Sequence, residues 1–284
     1  MSSPACADSH DQPAHLLRHA SMPPAFDSVP LQSLTLEDEA SFAHVALYAS
    51  LKRELVDADY RFRILPPTKV LRWDRALLLN LTFWGASPDQ GGDLLVDDRL
   101  EADVVTHVAW HHLARRALSS SDAKSSAEEL FFGEAIASAF DLYLVGRLLG
   151  HAPESSFLAT QVPAMADAAE AAGLSPRAFE KVLAGVAKDP ERAFEDLRAL
   201  LFDASVALLA CDGAEAAYEV LTSFDGHRFA GLFHHYAMSS WVLYARAYAS
   251  HALGRDERVR AIDVSLRSAP SSLAWLEREW LTDR

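Results

Sequence analysis

Two histidines four residues apart, His107 and His111, stand in the stretch ADVVTHVAWHHLARRAL, Ala102 to Leu118. On a helix that spacing sends both imidazoles from one face, where they can grip a single metal ion. A polar turn, SSSDAK, precedes a second stretch, SAEELFFGEAIASAFDLYLVGRLLG, Ser126 to Gly150. It carries Glu134 among Phe131, Phe132, Ile136 and Phe140. A carboxylate in such surroundings is costly to bury unless a cation or a strong donor accompanies it. Antiparallel packing of the two segments would set Glu134 opposite the histidines. Two His and one carboxylate then supply three zinc ligands and leave a fourth position for water. The spacing alone says little, because twelve His in 284 residues give roughly 0.5 such pairs by chance, and His15 with His19 makes another. The combination of a helix, an apolar setting and a downstream glutamate carries the reading. The competing reading is a pair of half-buried histidines bonded to neighbouring side chains, with Glu134 as their partner.

THVAWHHLA followed at a distance by GEAIASAFD resembles the gluzincin branch of zinc metallopeptidases. That family has HExxH on one helix and a third ligand, Glu, in a GExxA- or NExxA-like motif on the next. The resemblance covers Leu100 to Gly150. It implies His107, His111 and Glu134 as metal ligands, and Ala137 or Ser138 as the small position where the helices approach. It also implies Asp141, or Asp103, as an acceptor orienting a ligand histidine. The pattern departs at one place. Val108 stands where HExxH has the glutamate that takes a proton from metal-bound water. Valine cannot accept a proton, and general base catalysis contributes about 10²–10⁴-fold. His112 is not a substitute, lying about 100° around the helix from His111. Many peptidases of this type draw an oxyanion-stabilising His or Tyr from a C-terminal helical part. His234, His235 and Tyr236 are the candidates for that role, against the alternative of an aromatic-filled core helix.

The elements that must position these groups are mainly helices. Helices are predicted at roughly 99–118, 126–149, 154–172, 175–187, 190–211, 213–223, 228–253, 256–267 and 271–282. Ser126 with Glu129 reads as a capping box, and Ser175-Pro176 as a cap followed by proline at the first helical position. An earlier helix is expected near Thr35, with Asp38 three positions on, and Glu37 and His44 would share one face of it. A small β segment is expected at RFRILPP and ALLLNLTFWG, within 61–85. Residues 1–33, with five prolines, read as a disordered tail. Residues 34–150 read as a zincin-like metal-site region and 151–284 as an α-helical C-terminal region.

Composition bounds the rest. Half the residues are hydrophobic, 49 are Ala, and the net charge is −14, a balance that repels nucleic acid and anionic lipid. Two cysteines make neither a disulfide framework nor a Cys-based zinc site. No apolar run approaches the length of a bilayer span, and a cytoplasmic location is expected. There is no GxGxxG, P-loop or GxSxG. The function expected is therefore a zincin-like metal-binding protein without standard peptidase activity. It would recognise a peptide or protein ligand or perform other metal chemistry. Two alternatives stand beside it: a helical protein-interaction module without metal, and a non-haem iron oxygenase-like enzyme, since two His and one carboxylate suit iron as well as zinc.

Overall fold

Ser126 caps the longest described helix. Its hydroxyl accepts from the Glu129 backbone N–H at 3.0 Å while Glu129 Oε2 accepts from the Ser126 backbone N–H at 3.0 Å, a complete capping box. The computed structural model describes residues 26–64, 93–118, 125–233, 235–249 and 255–281. Among these the chain is mainly helical. The helices are α1 (Ala46–Asp57), α2 (Ala102–Leu118), α3 (Ala127–Leu148), α4 (Ser156–Ala171), α5 (Pro176–Lys188), α6 (Pro190–Leu209) and α7 (Ala214–Ser223). They continue with α8 (His235–Tyr248), α9 (Glu257–Ser268) and α10 (Ser272–Leu276), which runs into a π-helical turn, Glu277–Leu281. The short strands are β1 (Asp27–Pro30), β2 (Thr35–Glu37), β3 (Arg61–Ile64), β4 (Leu94–Leu95) and β5 (Arg99–Glu101). No described helix is long and apolar enough to cross a membrane.

The chain divides into two compact units, residues 1–29 with 62–97, and residues 30–61 with 98–284. The first holds most of a three-stranded sheet in the order β1-β3-β4, with β3 parallel to β4 and Arg63 opposite Leu94. The second holds every described helix. At its centre α3 is apolar on nearly all sides, from Phe131 and Phe132 to Leu144, Val145 and Leu148. A helix hydrophobic all round needs neighbours all round, and α3 packs against α2, α4, α5, α6, α8 and α9. Gly146 permits the closest approach, since a Cβ there would stand 2.8 Å from the Val186 carbonyl oxygen and 3.1 Å from Pro190. Ser175 caps α5 by accepting from the Ala178 N–H, with Pro176 following it, as its sequence signature indicates.

Several expectations are corrected. Thr35 does not open a helix. Thr35–Glu37 is strand β2, paired in parallel with β5 in the register Thr35 to Arg99 and Glu37 to Glu101. Residues 99–101 are likewise strand rather than the first turn of α2. Glu37 pairs with Arg99, and His44, outside any helix, lies 3.2 Å from the Arg147 carbonyl oxygen at the end of α3. The two therefore share no helical face. Asp38 takes a left-handed backbone (φ 56) that Asp tolerates. Its carboxylate accepts from Ser41 and, at 2.5 Å, from Ser155 beside the start of α4. It thus supplies the negative charge that a helix N-terminus favours. The tail expected over 1–33 is described from Phe26 onward, where Asp27–Pro30 is strand and Leu31–Ser33 a 3-10 turn with Leu31 buried. Part of the predicted β segment is observed as β3, while ALLLNLTFWG lies outside the described residues. The predicted helix over 228–253 is divided: Ala230–Leu232 forms a 3-10 turn and α8 begins at His235.

Candidate metal centre

α2 and α3 pack side by side, and the small residue whose backbone stands next to the histidines is Gly133. A Cβ there would touch Ala114 at 3.5 Å and His111 Nδ1 at 3.6 Å. It lies one turn before Ala137, which is fully buried, and Ser138, which is half-buried. Sequence reasoning passed over Gly133, although a glycine beside the candidate ligand is a visible signal of close backbone approach.

The structure brings His107, His111 and Glu134 together, with one ligand atom from each within 4.8 Å of the others. His107 Nε2 and His111 Nε2 are 3.2 Å apart. His111 Nε2 lies 3.3 Å from Glu134 Oε1. Both separations match the edge of a tetrahedron with metal–ligand bonds of ~2.0–2.1 Å, which is about 3.3 Å. The donor chemistry points the same way. An imidazole nitrogen offers one proton or one lone pair, so at most one of these two contacts is a linear hydrogen bond. A divalent cation accepts all three lone pairs at once. Glu134 is 8 % exposed, a position that favours a cation beside the carboxylate.

Asp141 lies two turns along α3 from Glu134, and its Oδ2 accepts from His107 Nδ1 at 3.0 Å. That bond fixes the tautomer with the proton on Nδ1 and turns Nε2 toward His111 and Glu134. Asp103 makes no hydrogen bond to His107 that the structure displays. Burial first, then the carboxylates of Asp141 and Glu101, push its pKa up to about 6. For His107, burial opposes the charged ring, but Asp141, Glu134 and Asp103 outweigh it and push its pKa up to about 9. Burial, with the positive charges of His107 and Arg115, holds His111 well below the usual imidazole range. His111 thus presents a free lone pair at neutral pH, while His107 must shed a proton from Nε2 to bind a metal.

His112 faces elsewhere, with its ring edge-on to Tyr60 at 5.7 Å between centroids. Burial and the nearby Arg116 lower its pKa. It packs against Tyr60 and does not join the three candidate ligands. Val108 is buried in the core. The side chains of His234, His235 and Tyr236 lie outside the described residues, although His235 and Tyr236 fall within α8.

Comparison of the chain with protein-family models, curated proteins and solved structures gave no match. Two outcomes follow from the geometry of the site. Asp141→Asn is expected to weaken zinc affinity ~10–100-fold, measured by competition with a chromogenic chelator; affinity unchanged within twofold would deny Asp141 its orienting role. The second concerns pH. A histidine raised from ~6.5 in the unfolded chain to about 9 when folded stabilises the metal-free protein fully below pH ~6.5. That contribution is lost as pH rises through about 9. Metal must displace this one proton, so zinc affinity is expected to rise about tenfold per pH unit between pH 7 and 9, then level off. A flat profile over that range, in isothermal titrations corrected for zinc hydrolysis and buffer binding, would contradict it.

Proposed function

We propose that the protein is a zincin-like metal-binding protein that holds one divalent cation through His107, His111 and Glu134 and lacks standard peptidase activity. The observation that carries this reading is the convergence of three ligand atoms within 4.8 Å of one another, with His111 at tetrahedral spacing from both His107 and Glu134 and Asp141 on the far nitrogen of His107. When bound, zinc would supply a Lewis acid at this position. The chain's own residues then hold and orient: Asp141 keeps the His107 proton on Nδ1, His111 offers its neutral nitrogen, and Glu134 balances charge from a nearly buried position. No proton acceptor stands at position 108, where Val108 occupies the general-base place. The reading is accordingly recognition of a ligand, such as a peptide, or metal chemistry that needs no such base, in place of peptide hydrolysis.

Two His and one carboxylate are also the ligand set of non-haem iron sites, so the metal itself decides between the zinc and iron readings. Protein purified from zinc- and iron-supplemented cultures, analysed by elemental mass spectrometry, is expected to carry about one zinc per chain and to show no peptidase activity above background. His107→Ala and Glu134→Gln should carry less than about a tenth of that. Equal and negligible metal in all three proteins would reject the reading, and iron at stoichiometry would replace zinc with the oxygenase-like alternative.

A further inference from the structure

On the opposite side of α2 lies a groove of about 620 Å³ that the metal reading does not use. Leu113 and Arg116, which line it, are about 200° and 140° around the helix from His111, so it faces away from the imidazoles. Its volume falls in the range of small-molecule sites, ~300–1,000 Å³. One wall is built by α10 and the π-helical turn, which place Trp275 and Trp280 on the groove. π-helical turns are rare and recur at functional sites.

The charges in the groove are unequal. Glu54, Asp57 and Glu279 line it against a single cation, Arg116. That guanidinium is already held, donating to Glu54 Oε2 at 2.6 Å and to the Trp280 carbonyl oxygen at 2.5 Å. Arg116 shows how a planar cation is received here, by a carboxylate and a backbone carbonyl. Glu279 pairs with Arg278 outside the groove at 2.9 Å. No ion pair of Asp57 occurs among the described residues. An anion entering would meet surplus carboxylate, whereas a cation would meet carboxylate beside the half-buried Trp275.

We propose that this groove binds an organic cation with an apolar stem, its charged head toward Asp57, Glu279 and the indole of Trp275 and its stem along Ile262. Aromatic faces attract such heads through the ring quadrupole, and a chain of net charge −14 concentrates cations at its surface. The site is independent of the metal centre and stands whether or not that centre binds zinc.

The test uses full-length protein titrated with benzyltrimethylammonium, followed by calorimetry and tryptophan fluorescence. Benzyl alcohol and phenylacetate serve as the neutral and anionic counterparts. Saturable binding of the cation with a Kd of ~1 mM or tighter is expected, at least tenfold stronger than for either counterpart and weakened by salt. Trp275→Leu should weaken it about tenfold. The exposed Asp57→Asn should weaken it about threefold without lowering the melting temperature, which keeps the test valid if Trp275→Leu folds poorly. His107→Ala should bind the cation as the wild type does. No saturable binding up to ~10 mM, equal affinity for the neutral compound, or undiminished binding in Asp57→Asn would overturn the proposal.

Discussion

Zinc at about a thousandfold excess over its Kd is expected to stabilise the protein by ~4 kcal/mol, raising its melting temperature by about 8–16 °C at ~2–4 °C per kcal/mol. A chelator should reverse the rise. The reason is that the proposed ligands come from two helices: His107 and His111 from α2, Glu134 from α3. A cation held between them binds the packed state and not the unfolded chain, so its binding energy appears as folding energy. His107→Ala should abolish the response. Glu134→Gln should abolish it too, but with a different consequence for the metal-free protein. Glu134 is a nearly buried carboxylate, and such a group costs desolvation energy unless a cation offsets it. In the metal-free protein that cation is protonated His107, whose pKa Glu134 helps to raise; the attraction and the desolvation cost oppose each other, so the glutamine variant is expected to melt close to metal-free wild type while being indifferent to zinc. Differential scanning calorimetry of the three proteins, with and without zinc, checks both halves. A glutamine variant that melts far below metal-free wild type would assign Glu134 a structural role instead.

The second large effect lies outside the metal centre. Arg198→Ala is expected to destabilise the fold by ~3–5 kcal/mol, measured by urea denaturation. Arg198 on α6 is fully buried. Its guanidinium donates to Asp263 at 2.8 Å and to both oxygens of Glu195 at 2.7 and 2.9 Å, and it lies 5.5 Å from the centroid of the Phe132 ring. Ser272 donates to Glu195 at 2.6 Å, and Arg267 donates to Asp263 at 2.9 and 3.0 Å. The cluster thus joins α6, α9 and α10 and rests on α3 two residues before Glu134. Removing the arginine leaves two shielded carboxylates short of a cation. Asp263 keeps Arg267 and Glu195 keeps Ser272, which places the loss toward the lower end of the range. Arg198→Ala combined with Asp263→Ala should cost less than the sum of the two single changes. Additive losses would show that the charges do not act as a unit.

The sequence announced that His107, His111 and Glu134 would lie together because its signals are local. HxxxH spacing, the Ser126–Glu129 capping box and the apolar run of α3 each act within a few residues, and neighbouring helices joined by a short connection pack together. Asp141 was legible by the same logic, two turns from Glu134. What stayed hidden depends on distant partners. Thr35 and Asp38 imitate a helix start, but β2 is drawn into a strand by β5 some sixty residues away, and Asp38 serves α4 instead. Arg198 reads as an ordinary charge on a long helix; only Asp263 and Ser272, far along the chain, reveal it as buried. Gly133 looked like one more small residue until the position of His111 gave it meaning. The division of the helix expected over 228–253 at Ala230–Leu232 carried no Pro to announce it.

Crystals of the zinc-loaded protein, measured on either side of the zinc absorption edge, test the account most directly. A single strong anomalous peak is expected ~2.0–2.2 Å from His107 Nε2, His111 Nε2 and an oxygen of Glu134, with Asp141 still bonded to His107 Nδ1. Zinc at full occupancy elsewhere on the chain, with the two imidazoles and the carboxylate bonded only to one another, would contradict it.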